Sequence, residues 1–221
     1  MTRIKKNLKF LHSKVSDKVK KELDDGFKLL NSIEQPMVTF LGSHVTKSSE
    51  PDYKHAVKLA TMLGKKGYGI VTGGGPGIMR AANQGATKAG APSIGIRAGL
   101  ITGEDVTPEY FSHAASYDYL FVRRFLLSIK SEALIFYPGG YGTLNELFEY
   151  VVLIETKMVD RVPLICVNTS YWEGLFRWLK RGPLRKGLFS NNMKDVELLS
   201  ILDKHKDIIT IIDEEDALLH K

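Results

Sequence analysis

Tyr68-Gly69-Ile70-Val71-Thr72-Gly73-Gly74-Gly75-Pro76-Gly77 decides the fold. A short apolar strand (68–71) runs into a glycine-rich loop, and an Ala-rich helical pattern follows to Ala89. The same grammar returns at Ala133-Leu134-Ile135-Phe136-Tyr137, where a strand meets Pro138-Gly139-Gly140-Tyr141-Gly142 and then a long helix to about Met158. Working outward, strands are predicted over 37–41, 93–96, 117–121, 162–167 and 208–212. Helices are predicted over 22–33, 50–66, 122–131 and 171–180, with a short acidic-capped helix after residue 212. Apolar strands alternating with amphipathic helices predict an α/β chain: a doubly wound, mostly parallel sheet with helices on both faces. In such sheets ligands sit at the carboxyl ends of the strands, where both glycine loops fall.

Composition agrees with a packed domain. The 221 residues are 43% hydrophobic and 25% charged, with a single cysteine, Cys166, inside an apolar run. That usage excludes a disordered tail, a collagen-like chain and a disulfide framework. No apolar run approaches the roughly 20 residues of a membrane span, and the charged start is too broken by Lys and His for a signal peptide, so a cytoplasmic chain is expected. The net charge of +6 is concentrated: residues 1–21 carry eight Lys/Arg against one acid, Asp17. Residues 1–35 therefore read as a basic helical extension on a nearly neutral domain, 36–221. A charge run of this kind is more often a solvated face than a nucleic-acid contact, and no DNA- or RNA-binding motif supports the latter.

Several chemistries lack their motifs. No G-x-x-x-x-G-K-[ST] is present, and Ile78 stands where G-x-G-x-x-G needs its last glycine. Metal-ligand spacing and a nucleophile elbow are also missing. What the loops offer is backbone: glycines after a strand let N–H groups approach an anion, and the next helix presents free donors and the positive end of its dipole. Two such loops at one sheet edge point to phosphate.

Pro138-Gly139-Gly140-Tyr141-Gly142-Thr143-Leu144-Asn145-Glu146 resembles the P-G-G-x-G-T-x-x-E signature of the LOG family, the cytokinin riboside 5′-monophosphate phosphoribohydrolases often labelled lysine decarboxylases. The segments 38–43, 69–79, 81–83, 85–86 and Phe121-Val122-Arg123-Arg124 follow the family order, so the similarity spans roughly residues 37–170. The resemblance implies a Rossmann-like nucleotide-binding domain. It also implies hydrolysis of the N-glycosidic bond of a nucleoside 5′-monophosphate without metal or organic cofactor, by a homodimer or larger homo-oligomer. A lysine decarboxylase would need pyridoxal phosphate on a lysine, for which no site is visible.

Glycoside cleavage passes through an oxocarbenium-like state that a carboxylate stabilises, or whose attacking water it activates. By resemblance that residue is Glu146, although Thr143-x-x-Glu146 also fits a helix capping box. Arg123 is the second catalytic candidate, as a fork for phosphate or for the departing base. Phosphate and substrate contacts fall to Ser43, Gly74, Gly75, Gly77, Asn83, Arg124, Gly139, Gly140, Tyr141, Gly142 and Thr143. Glu149 is a partner carboxylate or an orienter of an arginine. Where relatives show Ala-Arg after Gly-Ser, this chain has His44-Val45, and Arg80 and Asn145 replace acids. Arg80 or Arg97 is the expected substitute for the missing arginine. A non-catalytic nucleotide or cofactor carrier on the same fold is the alternative, favoured by those charge changes.

Overall fold

A computed structural model describes residues 12–99, 108–188 and 199–219. The chain runs α1 (His12–Asn31), β1 (Met37–Leu41), α2 (Pro51–Lys65), β2 (Gly69–Thr72), α3 (Ile78–Ala89), β3 (Ser93–Ala98) and β4 (His113–Tyr117). It continues through α4 (Leu120–Leu126), β5 (Ser131–Phe136), α5 (Tyr141–Glu155), β6 (Leu164–Cys166), α6 (Thr169–Leu179), β7 (Leu199–Ile201) and α7 (His205–Leu219). Seven strands form one sheet in the order β4-β3-β2-β1-β5-β6-β7, and every neighbouring pair is parallel. The doubly wound α/β architecture is therefore as expected.

Strand alternation assigns the two faces. Val38, Phe40, Ala133 and Ile135 pack with α2, α3 and α7 through Leu59, Ile78 and Ile212. Met37, Leu41, Leu134 and Phe136 point the other way, onto α1, α4, α5 and α6 through Leu30, Val122, Leu147 and Trp172. Burying one such large side chain contributes on the order of 1.5–3 kcal/mol. Cys166 belongs to this second layer, and burial pushes its thiol well above the ordinary range, as fits a small hydrophobe. The aromatic helix α6 buries Trp172, Phe176 and Leu179, with Leu175 partly buried beside them, a stripe at helical spacing.

Two predicted strands are corrected. Residues 208–212 are helical, inside α7, and the last strand is β7. Ile208, Ile209 and Ile212 are buried while Ile211 is only partly so, a helical stripe that resembles a strand when its isoleucines are read without phase. The strand expected at 117–121 is instead His113–Tyr117, with Leu120 already opening α4. His113-Ala114-Ala115-Ser116 is a weakly apolar edge strand of alternating exposure, whereas Leu120 and Phe121 are about half exposed. Tyr117 is the one buried residue of the strand, shared by the expected and the observed ranges.

Helix α1 is tied to the domain. The Glu22 carboxylate accepts from the backbone N–H of Asp118 and Tyr119 at the start of α4, and Lys130 Nζ donates to the carbonyls of Leu30 and Ile33 at the other end. Residues 1–11, half of the basic run, lie outside the described residues.

Candidate active site

Strand order reverses between β1 and β5: the chain steps outward from β1 to β4, then returns to β1's other side with β5. At such a switch the loops leave in opposite directions and open a crevice beyond the carboxyl ends. Here the two loops are joined at their base. Tyr137 N–H donates to Leu41 O (2.8 Å) and Ser43 N–H to Pro138 O (3.0 Å). Above them lies a cleft of 490 Å³, walled by Gly42 to Val45 after β1, Gly73 and Met79 after β2, Ala98, Arg123 on α4, and Gly140 to Thr143 with Glu146 on α5.

The α5 wall presents bare backbone. Gly140 precedes the helix without a side-chain cap, and the first intrahelical bond of its type is Leu144 N–H to Gly140 O. The amides of Tyr141, Gly142 and Thr143 thus belong to the free first turn. A Cβ on Gly140 or Gly142 would meet nothing within 4 Å. Gly139 is different, because Thr143 fills the space where its Cβ would be, and Tyr171 OH donates to its carbonyl. Tyr141 is 93% exposed at the rim.

The β2 loop reaches the cleft only through Gly73. Gly74 and Gly77 have φ of +69° and +67°, and a Cβ on Gly77 would lie 2.2 Å from Ser43 O. That carbonyl accepts the first amide of α3, from Ile78 (3.0 Å). Turn geometry and close packing thus account for these two glycines. Gly75 is buried in the same loop. Asn83 is fully buried: it accepts from Thr72 Oγ1 (2.6 Å) and donates to Ser93 Oγ (2.9 Å), bracing β2 against β3. The side chain of Arg97 lies across Gly74, and the charge of Arg80 acts on Tyr53 of α2. Arg124 pairs with Glu149 rather than entering the cleft.

Arg123 and Glu146 form the centre. Arg123 Nε donates to Ile96 O (2.9 Å) and Nη2 to Gly73 O (3.4 Å), so the guanidinium is held by the ends of β3 and β2. Its Nη1 stands 3.7 Å from Glu146 Oε1, with 15% and 13% of the two side chains exposed. Burial pushes the Glu146 carboxyl up to about 7, against the opposing pull of Arg123 and Arg124. The capping-box alternative fails on geometry: Thr143 lies inside the first turn of α5, not before it. The sequence singles out Ser43, Arg123, Gly140, Tyr141, Gly142, Thr143 and Glu146 among the cleft residues. Gly42, His44, Val45, Gly73, Met79 and Ala98 also line the cleft; of these the sequence marks Gly73 through its glycine loop and His44-Val45 as the place where relatives carry Ala-Arg, and gives no signal for Met79. Among the described residues no group of three or more His, Cys, Asp or Glu is arranged to hold a metal, and no helix is long and apolar enough to cross a membrane.

Fold and cleft define a parallel α/β protein with an uncapped helix N-terminus and a largely buried Arg–carboxylate pair at its switch point. The family described as "Possible lysine decarboxylase", the LOG family, matches residues 79–212, more than half of the chain, and the chain belongs to that family. It is 28% identical over 160 residues to the cytokinin riboside 5′-monophosphate phosphoribohydrolase LOG4 of Arabidopsis thaliana, covering 71% of this chain and 73% of that one. The enzyme of that name from Mycobacterium tuberculosis is 26% identical over 168 residues, 73% of this chain and 88% of the relative. Among solved structures, the molybdenum cofactor binding protein of Rippkaea orientalis superposes with a TM-score of 0.59 at 24% identity, over 82% of this chain and 97% of that one. The Moco carrier protein of Chlamydomonas reinhardtii gives 0.60 at 19%, over 83% and 99%. These two likenesses concern the fold alone.

Proposed function

We propose that this chain hydrolyses the N-glycosidic bond of a nucleoside 5′-monophosphate, a cytokinin riboside monophosphate or an AMP-like nucleotide, to free base and ribose 5-phosphate. The observation that carries the reading is Glu146: a largely buried carboxyl, raised to about 7, facing a fixed arginine in a cleft rimmed by free helix amides. The 5′-phosphate docks on the first turn of α5, where the amides of Tyr141, Gly142 and Thr143 and the helix dipole favour an anion. Glu146 follows Thr143 by three residues, about 4.5 Å along the helix axis. That separation carries it from the phosphate end of a ribose ring toward the anomeric carbon. Ionised, Glu146 stabilises positive charge at C1′ and takes a proton from the attacking water. Arg123 holds that carboxylate in place and puts a fixed positive charge beside the substrate.

The relatives' names support a phosphoribohydrolase at the level of the family. A homodimer or larger homo-oligomer in the cytoplasm belongs to the same reading. Leu120 and Phe121 on α4 and Val152 on α5, helices of one sheet face, are each at least half exposed, which supports such an assembly. The test is incubation with AMP, GMP and isopentenyladenosine monophosphate, with chromatography of released base. Release by the wild type that Glu146→Gln abolishes supports the hydrolase. Tight binding without release overturns it in favour of a carrier.

A further inference from the structure

Breaking a glycosidic bond to a purine leaves an electron pair on the base, and an unprotonated purine anion is a poor leaving group. The hydrolase reading, on which this inference rests, gives Glu146 the water's proton and so needs a second group to supply the base with one. Among the described residues, the ionisable side chains lining the cleft are His44, Arg123, Tyr141 and Glu146. Arginine does not surrender its proton, and a tyrosine, with an ordinary pKa of about 10, gives up its own less readily near neutral pH than an imidazolium does. Imidazole is suited to the transfer.

We propose that His44 is the general acid that protonates the departing base. Its backbone is fixed from two sides. Ser43 N–H is bonded to the β5 loop through Pro138 O, and Ser43 O to the start of α3 through Ile78 N–H. Gly77 packs so closely that a Cβ there would lie 2.9 Å from His44 Cα. Val45 N–H closes the turn on Ser43 Oγ (3.2 Å). The loop thus carries His44 on the β1 wall of the cleft, while Glu146 stands on the α5 wall. A substrate anchored by its phosphate on α5 would carry its base toward the opposite, β1–β2 wall, which His44, Val45 and Met79 line. The step balances: water oxygen bonds to C1′ as the C1′–N bond breaks, and the bond pair passes to the base. Imidazolium gives its proton to a base nitrogen, water loses one to Glu146, and both groups then exchange with solvent.

The test compares GMP with N7-methyl-GMP, whose base already carries a fixed positive charge and leaves without being protonated. His44→Gln is expected to lower turnover of GMP by about 100-fold, the lower end of general-acid effects, and of N7-methyl-GMP by no more than about 3-fold. Equal losses on the two nucleotides, or full GMP turnover by the variant, overturn the role of His44. If wild-type protein releases base from AMP or isopentenyladenosine monophosphate but from neither of these two, the same comparison is made with AMP and N7-methyl-AMP; release from none of the nucleotides overturns the hydrolase reading first, an outcome visible without any variant. His44 is exposed, and thermal unfolding of His44→Gln and His44→Asn shows whether either change disturbs the fold. A loss confined to GMP in a variant with wild-type unfolding supports the assignment.

Discussion

Replacing Glu146 by glutamine should make the protein more stable, and only at higher pH. The folded structure raises this carboxyl from 4.5 to about 7, with burial as the dominant cause and Arg123 and Arg124 opposing it. A raised acid means that the native state binds its proton more tightly than the unfolded chain does. Stability therefore falls as pH climbs from about 4.5 through about 7, then levels off. The shift of about 2.5 units corresponds to about 3 kcal/mol at 1.36 kcal/mol per unit. Glutamine mimics the protonated carboxyl and escapes that loss. The stability difference between variant and wild type should thus be near zero at about pH 4.5 and reach about 3 kcal/mol by about pH 8. For a chain of this size that is about 6–12 °C in Tm. Urea unfolding of both proteins across that range reads it directly. Curves that stay parallel within about 0.5 kcal/mol would show that Glu146 is not desolvated, removing the physical basis of the proposed chemistry. Glu146 must be ionised and His44 protonated in the same step, so base release should follow a bell-shaped pH profile, and in His44→Gln only the rise through about pH 7 should remain.

Gly142→Ala should separate binding from folding. Its Cβ meets nothing in the protein, so Tm should hold or rise slightly, as alanine favours the helix by up to about 1 kcal/mol. The methyl group occupies the approach to the free amides, so KM for AMP should rise by about 10-fold or more, a loss of about 1.4 kcal/mol. Gly77→Ala should destabilise by about 2–4 kcal/mol in urea unfolding, because φ is +67° and the added carbon would lie 2.2 Å from Ser43 O. An unfolding midpoint equal to wild type would contradict that account. Asn83→Ala should cost about 1–3 kcal/mol by leaving Thr72 and Ser93 short of a partner, while KM for AMP stays within about 2-fold of wild type. A large KM change there would return Asn83 to the list of nucleotide contacts.

Much of the fold was legible because strand and helix differ in the period of their apolar residues. Val38/Phe40 and Met37/Leu41 already alternate, and burial on both faces makes such strands continuously apolar. The misses fell where that signal weakens. The edge strand His113–Tyr117 has only one protected side and few large apolar residues, and α7 places its isoleucines on a stripe too short to declare a period. Within the candidate site, Glu146 and Arg123 are legible through the resemblance of residues 138–146 and 121–124 to family segments, since spacing alone leaves Glu146 equally open to helix capping.

The amino-acid sequence alone set the strand–loop–helix alternation, the two glycine turns and the charged residues available beside them. Tertiary structure decided which turns face each other. Only the return of β5 to the flank of β1 brings Gly73, Arg123 and Glu146 around one cleft, and only burial there lifts the carboxyl to about 7. It also turned Gly77 and Asn83 into packing and hydrogen-bonding elements. Local sequence specifies dihedral preference and period, whereas strand order, desolvation and the distance between two charges are properties of chain segments far apart in sequence.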